Sequence, residues 1–582
     1  MRTDVRKPLS LALLSSSMTQ LLSSTLKKEL RGSGWDVSIW EAGFDQYRQE
    51  ITNPDSALYR ASPELAVLYL EGDDLFGDCL REPFLLDRAA RRERALAVAA
   101  ETEHLVDVMQ TRSPNLVIVL NTIFLPPTHA LTGLEYNSRW GLSDLAAHYN
   151  LELARIVCER ENVLCHDVAS LAAQIGYSRW YDPRLWYLAR TRISSDGTKH
   201  VARSLAALVR AWKGETKKCV VLDLDNTLWG GIVGEDGIDG IVLGSEGQGL
   251  AYAEFQQELA NLERKGVLLA ICSKNNEDDA MEVLRSHPSM RLREGHFAAI
   301  RINWEDKATN LQALAHAMNL GLDSLVFIDD NPFERELIRS TFPEVLVPDW
   351  PSDVSDYKTA LLELGAEHLL RIALTQEDAE RTAMYHSEVR RQAFASSTGS
   401  LEDYLRSLEM HVELGFADKV SIPRIAQLTQ KTNQFNLTTR RYTEAEIRDL
   451  ARSSEAMVLW LRLRDRFSDS GLVGVLILRQ AGRKTWIIDT FLLSCRALGR
   501  RVEEAFLGYA CQVLLDRGAH GLIGEYRSTQ KNLVVANLYK ELGFTGLEED
   551  QEIAKWRLSL LSNVVAIPDW ISVEMKTESL HA

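Results

Sequence analysis

The chain has 582 residues, too many for one hydrophobic core, so about three domains are expected. Hydrophobic residues make up 45% and charged residues 25%, as in an ordinary globular protein, and no apolar run is long enough to span a bilayer. The net charge of −16 argues against non-specific binding to nucleic acid, while leaving room for a local basic pocket. The seven cysteines (Cys79, Cys158, Cys165, Cys219, Cys272, Cys495 and Cys511) form no C-x-x-C pair. An odd, scattered set points to reduced thiols in a cytoplasmic protein, without a disulfide frame or a zinc site.

The N-terminus is basic and precedes the apolar run Leu11–Leu14, but Ser15-Ser16-Ser17 cuts that run short. It reads as a first strand and not as a signal peptide. Over residues 1–214, apolar runs at Leu11–Leu14, Val37–Trp40, Leu65–Tyr69, Leu116–Leu120 and Val163–His166 alternate with helical stretches such as Met18–Arg31 and Arg88–Gln110. This alternation predicts a parallel α/β sheet with right-handed crossovers. Ser15–Ser17, Asn121, Asp196 and His200 sit where a flavodoxin-like SGNH esterase carries its site. The Gly-Asp-Ser of that family is absent, and Asp196-Gly197-Thr198-Lys199-His200 is one residue longer than its Asp-x-x-His. A Ser-rich turn before a helix also serves as an N-cap. A scaffold or partner-docking unit is expected here.

Residues 215–365 read as a second α/β unit with four signals in order. Val220–Leu222 leads into Asp223-Leu224-Asp225-Asn226-Thr227, Val267–Ile271 into Cys272-Ser273-Lys274, Asn303-Trp304-Glu305-Asp306-Lys307 opens a helix, and Leu325–Ile328 leads into Asp329-Asp330-Asn331. Ligands of open parallel sheets bind beyond the carboxyl ends of the strands, so these four signals converge on one rim. Displacing a phosphoryl group needs a nucleophile, charge neutralisation and a proton carrier. Asp223 suits the first role and Asp225 the last. Mg²⁺ held by Asp223, Asp330 and the carbonyl of Asp225 would screen the charge. Thr227, Ser273, Lys274 and Lys307 are candidates for holding phosphate oxygens. Taken singly, each has a structural reading: Ser273 as a helix cap, Lys307 as a solvated lysine, Asp329-Asp330-Asn331-Pro332 as a turn.

The four signals together resemble the haloacid-dehalogenase superfamily. That resemblance implies Asp223 as nucleophile, Asp225 as acid/base, and Ser273, Lys307 and Asp329-Asp330 as the later motifs. No large insertion separates them, so only a Gly-rich flap over Gly230–Gly249 is expected to stand above the site, admitting bulky substrates or a carrier protein.

Residues 366–582 begin with a predicted helix over Glu377–Phe394 and a hinge at Ser396–Gly399. An α+β pattern follows: strands at Met410–Leu414, Met457–Arg464, Gly471–Arg479, Thr485–Leu493 and His520–Tyr526, and helices at Ile422–Thr432, Arg500–Asp516 and Leu533–Leu542. Strand Trp486–Leu493 runs through Ser494-Cys495-Arg496-Ala497-Leu498-Gly499-Arg500-Arg501 into a helix N-terminus, whose N–H groups can hold a pyrophosphate. With Asn532 and Asn537-Leu538-Tyr539-Lys540-Glu541-Leu542-Gly543-Phe544, this resembles the GNAT-type acyltransferase fold. The resemblance implies acyl or pantetheine contacts from Arg496, Gly499, Arg500, Asn532 and Tyr539, while Arg501 stands where that family carries Gly or Ala. Cys495, beside Arg496 at a helix start, has the surroundings of an acyl-carrying thiolate. Cys272, next to Ser273, is the rival. Either could equally be a small residue at a strand end. Gln427–Arg441 is dense in Asn and Thr and could line a polar ligand site.

Asp223–Gly231, Thr432-Asn433-Gln434-Phe435-Asn436-Leu437-Thr438, Ser494–Arg500 and the N-terminal Glu41–Tyr47 and Asp55–Tyr59 together resemble the FkbH family over nearly the whole chain. That resemblance implies removal of phosphate from D-1,3-bisphosphoglycerate and passage of the glyceryl group, as a thioester, to the phosphopantetheine arm of an acyl carrier protein in polyketide biosynthesis. A stand-alone Mg²⁺-dependent phosphatase with a non-catalytic C-terminal module, or a non-catalytic assembly scaffold, are the other readings.

Overall fold

The computed structural model describes residues 7–373, 400–529, 531–547, 553–562 and 565–576, with the side chain of Cys495 outside that set. The helix expected over Glu377–Phe394 and the hinge at Ser396–Gly399 lie outside the described residues. Compactness divides the chain into Met1–Arg210 and Ala211–Ala582. Among the described residues no helix is long and apolar enough to cross a membrane.

The first unit carries β1 (Lys7–Ser15), β2 (Trp35–Glu41), β3 (Leu65–Tyr69), β4 (Val117–Asn121) and β5 (Val163–His166). All pair in parallel, in the flavodoxin-like order β2-β1-β3-β4-β5. β3 and β4 are buried at every residue, because helices cover both faces of the sheet. α1 (Gln20–Gly32) buries Leu22, Leu26 and Leu30, one stripe at a four-residue spacing. α2 (Arg88–Arg112) starts where the Asp87 carboxylate accepts the Ala90 N–H at 3.0 Å.

The residues that suggested an esterase-like site are engaged in structure. Asn121 accepts from the Leu70 N–H at 2.8 Å and donates to its carbonyl at 2.9 Å. The Ser15 hydroxyl accepts the Ser17 N–H at 3.0 Å. Asp196 pairs with Arg179 at 2.6 Å, and His200 lies 3.9 Å from it. Instead, the end of β3 leads into Glu71, half-buried beside Asp73 and Asp74 and opposed by Arg192. Burial first, then Asp74, pushes the Glu71 carboxyl up to about 8. Between the ordinary 4.5 and about 8 the folded chain holds a proton that the unfolded chain releases, so stability falls as pH rises through that window. Glu71→Gln is expected to match the parent near pH 4.5 and to exceed it by about 2 kcal/mol above pH 8, read from thermal midpoints across pH.

The second unit contains two sheets. The first consists of β6 (Cys219–Leu222), β7 (Leu268–Ser273), β8 (Phe297–Ile302) and β9 (Leu325–Ile328), all parallel, in the order β8-β7-β6-β9. Around it lie α3 (Gly247–Arg264), α4 (Glu277–Ser286), α5 (Lys307–Ala317), α6 (Pro332–Thr341) and α7 (Tyr357–His368). β6 and β9 are wholly buried neighbours, so the loops that follow them emerge side by side. The segment after β6 folds back as a short flap, in which Gly230 and Val242 exchange backbone hydrogen bonds at 3.1 and 2.8 Å.

The second sheet is mixed and contains β10 (Met410–Phe416), β11 (Phe435–Asn436), β12 (Ala456–Arg464), β13 (Asp469–Gly482), β14 (Thr485–Leu493), β15 (Gly521–Tyr526), β16 (Thr545–Gly546), β17 (Ala554–Ser559) and β18 (Ile571–Met575). Its order is β16-β17-β15-β14-β13-β12-β10-β18, with β11 attached to β14. α8 (Ile422–Lys431), α9 (Glu444–Arg452) and α10 (Val502–Asp516) pack on it. The helix expected over Leu533–Leu542 is instead two short turns, Leu533–Val535 and Leu538–Glu541. Val534 and Val535 are β-branched, and the Asn537 side chain competes for backbone groups, so a continuous helix is disfavoured.

β14 and β15 pair in parallel only over Thr485–Ile488 and Gly521–Gly524. Beyond that point they part, and β11 enters the wedge. Phe435 and Asn436 pair with Leu493 and Leu492, and the Leu437 N–H donates to the Phe491 carbonyl at 3.1 Å. On the other side, the Arg527 N–H donates to the Leu437 carbonyl at 2.8 Å.

Candidate active site

The loop after β6 makes a helical turn, with the Leu228 N–H donating to the Leu224 carbonyl at 2.8 Å. Asn226 adopts a left-handed conformation at φ 54°, which Asn tolerates better than most residues. Its carbonyl accepts from the Tyr357 hydroxyl at 3.1 Å, and its side chain accepts the Gly231 N–H at 2.9 Å. The loop is therefore fixed from both sides, and Asp223 and Asp225 point to different partners.

Asp223 is 7% exposed, and one carboxylate oxygen lies 3.0 Å from the Lys307 ammonium. Lys307 opens α5, whose start is capped by Asp306 accepting the Thr309 N–H at 2.8 Å. The same ammonium donates to Asp329 at 2.5 Å. Burial alone would lower the Lys307 ammonium, but Asp223 and Asp329 outweigh it and hold it protonated. Asp329 and Asp330 are pushed upward, first by burial and then by Asp223. Arg335 fixes their backbone, donating to both carbonyls at 2.7 Å.

Asp225 is held apart from this cluster. One oxygen accepts from Trp229 Nε1 at 2.9 Å and the Val233 N–H at 3.1 Å, and the other accepts from Asn275 Nδ2 at 2.8 Å. Burial is the main cause that raises its carboxyl, favouring the protonated form a leaving group needs. Neither Trp229 nor Asn275 stood out in the sequence reading. Trp229 lies two residues past Thr227 and Asn275 two past Ser273, and their spacing from those motifs was the available signal.

The remaining candidates divide. Thr227 and Ser273 are buried on the same rim, and the Thr227 hydroxyl has no protein partner. The Lys274 ammonium is held by Glu334 at 2.7 Å. Cys272 is fully buried with its thiol toward the Lys307 carbonyl, and burial pushes it up to about 12, so it stays a thiol at neutral pH. Cys495 lies in a short turn, Cys495–Ala497, and its side chain falls outside the described residues. Arg496 donates to the Ser470 carbonyl at 3.0 Å and Gly499 is exposed at φ 73°. Arg500 is buried against Asp465 at 2.9 Å. Asn532 is buried and ties Asn436 and Arg527 together at 2.9 Å each, and Tyr539 packs buried over Gly524.

Asp223, Asp329 and Asp330 offer carboxylate oxygens within 4.8 Å of one another. Three carboxylates face one ammonium, and the second oxygen of Asp223 is buried without a partner. That donor set fits a hard divalent cation such as Mg²⁺. The side chain of Asp225, fully engaged elsewhere, is not in the set; the sequence reading assigned only its carbonyl to the metal. Adding Mg²⁺ to EDTA-treated protein at about 100 times its Kd is expected to stabilise the second unit by about 2.7 kcal/mol, seen as a higher melting midpoint. Asp330→Asn is expected to weaken that response.

Residues 10–121 match the family model described as FkbH, N-terminal domain. This stretch is therefore similar to the N-terminal domain of FkbH. The match ends with β4 of the first unit. The N-terminal part of the protein BF1531 from Bacteroides fragilis, a crystal structure containing a phosphatase domain complexed with Mg, is 28% identical. The similarity covers 64% of this chain and 97% of that one, with a TM-score of 0.59. Ard1 from Thermoplasma volcanium matches over 25% of this chain and 97% of its own at 16% identity and a TM-score of 0.21. The N-acetyltransferase PseH of Campylobacter jejuni matches over the same two shares at 14% and 0.19. No curated protein matches the chain.

Proposed function

We propose that the chain removes phosphate from D-1,3-bisphosphoglycerate and passes the glyceryl group as a thioester to the phosphopantetheine arm of an acyl carrier protein, for polyketide biosynthesis. The observation that carries the phosphatase half is the buried Asp223–Lys307–Asp329–Asp330 cluster, with Asp223 and Thr227 each keeping an unpartnered oxygen. The phosphatase domain of the Bacteroides fragilis protein supports it. The FkbH-type N-terminal region and the GNAT-like sheet support the acyl-transfer half.

Asp223 attacks the phosphorus of the 3-phosphate ester; the P–O bond breaks, and the leaving alkoxide takes its proton from Asp225. Water then attacks the aspartyl phosphate, with Asp225 taking the proton, and inorganic phosphate leaves. Lys307 and the Thr227 and Ser273 hydroxyls hold the phosphoryl oxygens. Bound Mg²⁺, held by Asp223, Asp329 and Asp330, supplies charge neutralisation. The 1-phosphate is an acyl phosphate, so a thiolate at Cys495 attacks its carbonyl carbon: a C–S bond forms, the C–O bond to phosphate breaks, and no ATP is consumed. The carrier thiol then displaces Cys495.

Intact-mass spectrometry of the enzyme and a phosphopantetheinylated carrier with bisphosphoglycerate tests this directly. A glyceryl mass on both proteins is expected, and Cys495→Ala is expected to keep phosphate release while losing the acyl-enzyme. Normal carrier loading by Cys495→Ala would overturn the thiol role. A stand-alone phosphatase is the second reading, favoured by the burial of Arg500, Asn532 and Tyr539. It predicts phosphate release with no protein-bound acyl mass.

A further inference from the structure

Within the second unit a cavity of about 480 Å³ opens well away from the phosphatase carboxylates. One wall is Lys218, immediately before β6, and the Asn319–Ser324 loop, immediately before β9. Asp223 and Asp329 follow the same two strands. Since β6 and β9 are parallel neighbours, the cavity lies at the amino-terminal edge of the sheet and the phosphatase site at its carboxyl edge. The opposite wall is α8, the stretch Thr432–Phe435 leading into β11, Leu493 at the end of β14, and Ser494 and Arg496 after it.

The charge of this cavity runs against that of the chain. Lys218, Arg424, Lys431, Arg496 and Lys531 line it, against Asp323 and Glu344. Asp323 is already neutralised by an ion pair with Lys531. The Lys217 ammonium, beside the lining, caps the Asp323 and Glu344 carbonyls at 2.7 and 3.1 Å. Cationic side chains therefore outnumber carboxylates in a concave site of a chain whose net charge is −16. Thr432, Asn433, Gln434 and Ser494 add neutral hydrogen-bonding groups. Its volume falls within the range of small-molecule sites, and concave cationic walls concentrate anions.

We propose that this cavity is a second phosphate-ester site, seating an anionic ester with a polar chain at the edge of the sheet opposite the phosphatase carboxylates. The anion preference stands on the cavity alone. Which ester binds rests on the proposed acyl transfer: a pantetheine phosphate if the arm enters here, a glycerate phosphate if the substrate waits here.

Calorimetric titration of the full chain in EDTA, where the phosphatase rim lacks its cation, tests the proposal with three probes: coenzyme A, 3-phosphoglycerate and inorganic phosphate. One of the two esters is expected to bind, and the tighter of them identifies the source. Lys218→Glu and Lys431→Glu, from opposite walls, are each expected to weaken that binding at least ~10-fold. Both are expected to keep p-nitrophenyl phosphate hydrolysis in Mg²⁺ within twofold, and Asp223→Asn to keep ester binding. If charge reversal impairs folding, Lys218→Gln and Lys431→Gln carry the same test, with a loss of at least ~3-fold. Absence of ester binding at millimolar concentration overturns the proposal, as does binding indifferent to both lysines or binding lost in Asp223→Asn. Ester binding that survives in a chain without acyl transfer would keep this site and sink only the acyl-transfer reading.

Discussion

Asp223→Asn is expected to reduce hydrolysis of the 3-phosphate ester by at least ~10³-fold while leaving the fold intact. The substitution removes the carboxylate that meets the Lys307 ammonium through one oxygen, at 3.0 Å, and keeps the other buried without a partner. An amide nitrogen cannot attack phosphorus, and a neutral side chain weakens the metal set shared with Asp329 and Asp330. The fold survives because Lys307 keeps Asp329 at 2.5 Å, and the Asp223 N–H still donates to the Ile328 carbonyl. Release of inorganic phosphate from 3-phosphoglycerate, which has no acyl phosphate, measured alongside far-ultraviolet circular dichroism, checks both halves. Phosphate release at the parent rate would exclude Asp223 as nucleophile.

Lys307→Met should damage stability as well as activity. Lys307 is 3% exposed and bridges two carboxylates, one of them fully buried. Removing the cation leaves Asp223, Asp329 and Asp330 facing one another without compensation. Breaking a buried pair by deleting one partner costs about 3–5 kcal/mol, and on this unit that lowers the thermal midpoint on the order of 10 °C. Asp329→Asn in the Lys307→Met background removes one of the stranded charges and is expected to recover about half of the loss. Turnover stays low in both variants, because the phosphoryl oxygens have lost their ammonium. A single Lys307→Met protein as stable as the parent would mean the carboxylates are solvated after all.

The strands around the site were legible because each is a short apolar run that stops at a polar residue. Val220–Leu222 and Leu325–Ile328 lie within strands, the expected Val267–Ile271 became Leu268–Ser273, and the ends of these strands carry the carboxylates and hydroxyls that the motifs suggested. The fine partners were not legible. Trp229 and Asn275 reach the Asp225 carboxylate, and Arg335 the Asp329 and Asp330 carbonyls, through loops whose conformation shows only in the fold, such as the left-handed Asn226 and the Asn331 cap before Pro332. Lys274 looked like a phosphate ligand until Glu334, sixty residues on, claimed its ammonium. β11 was missed for a different reason: two residues are too short to show an alternating pattern, and its partners come from three distant segments.

That two-residue strand has a consequence for how the C-terminal sheet breathes. Where β14 and β15 part, the Leu437 and Arg527 amide protons are tied into the ladder by β11 itself, and Asn532 clamps its carbonyl from the side. Deuterium can reach those amides only when the sheet opens, so a stretch that looks like a polar loop should exchange as slowly as the core strands around it.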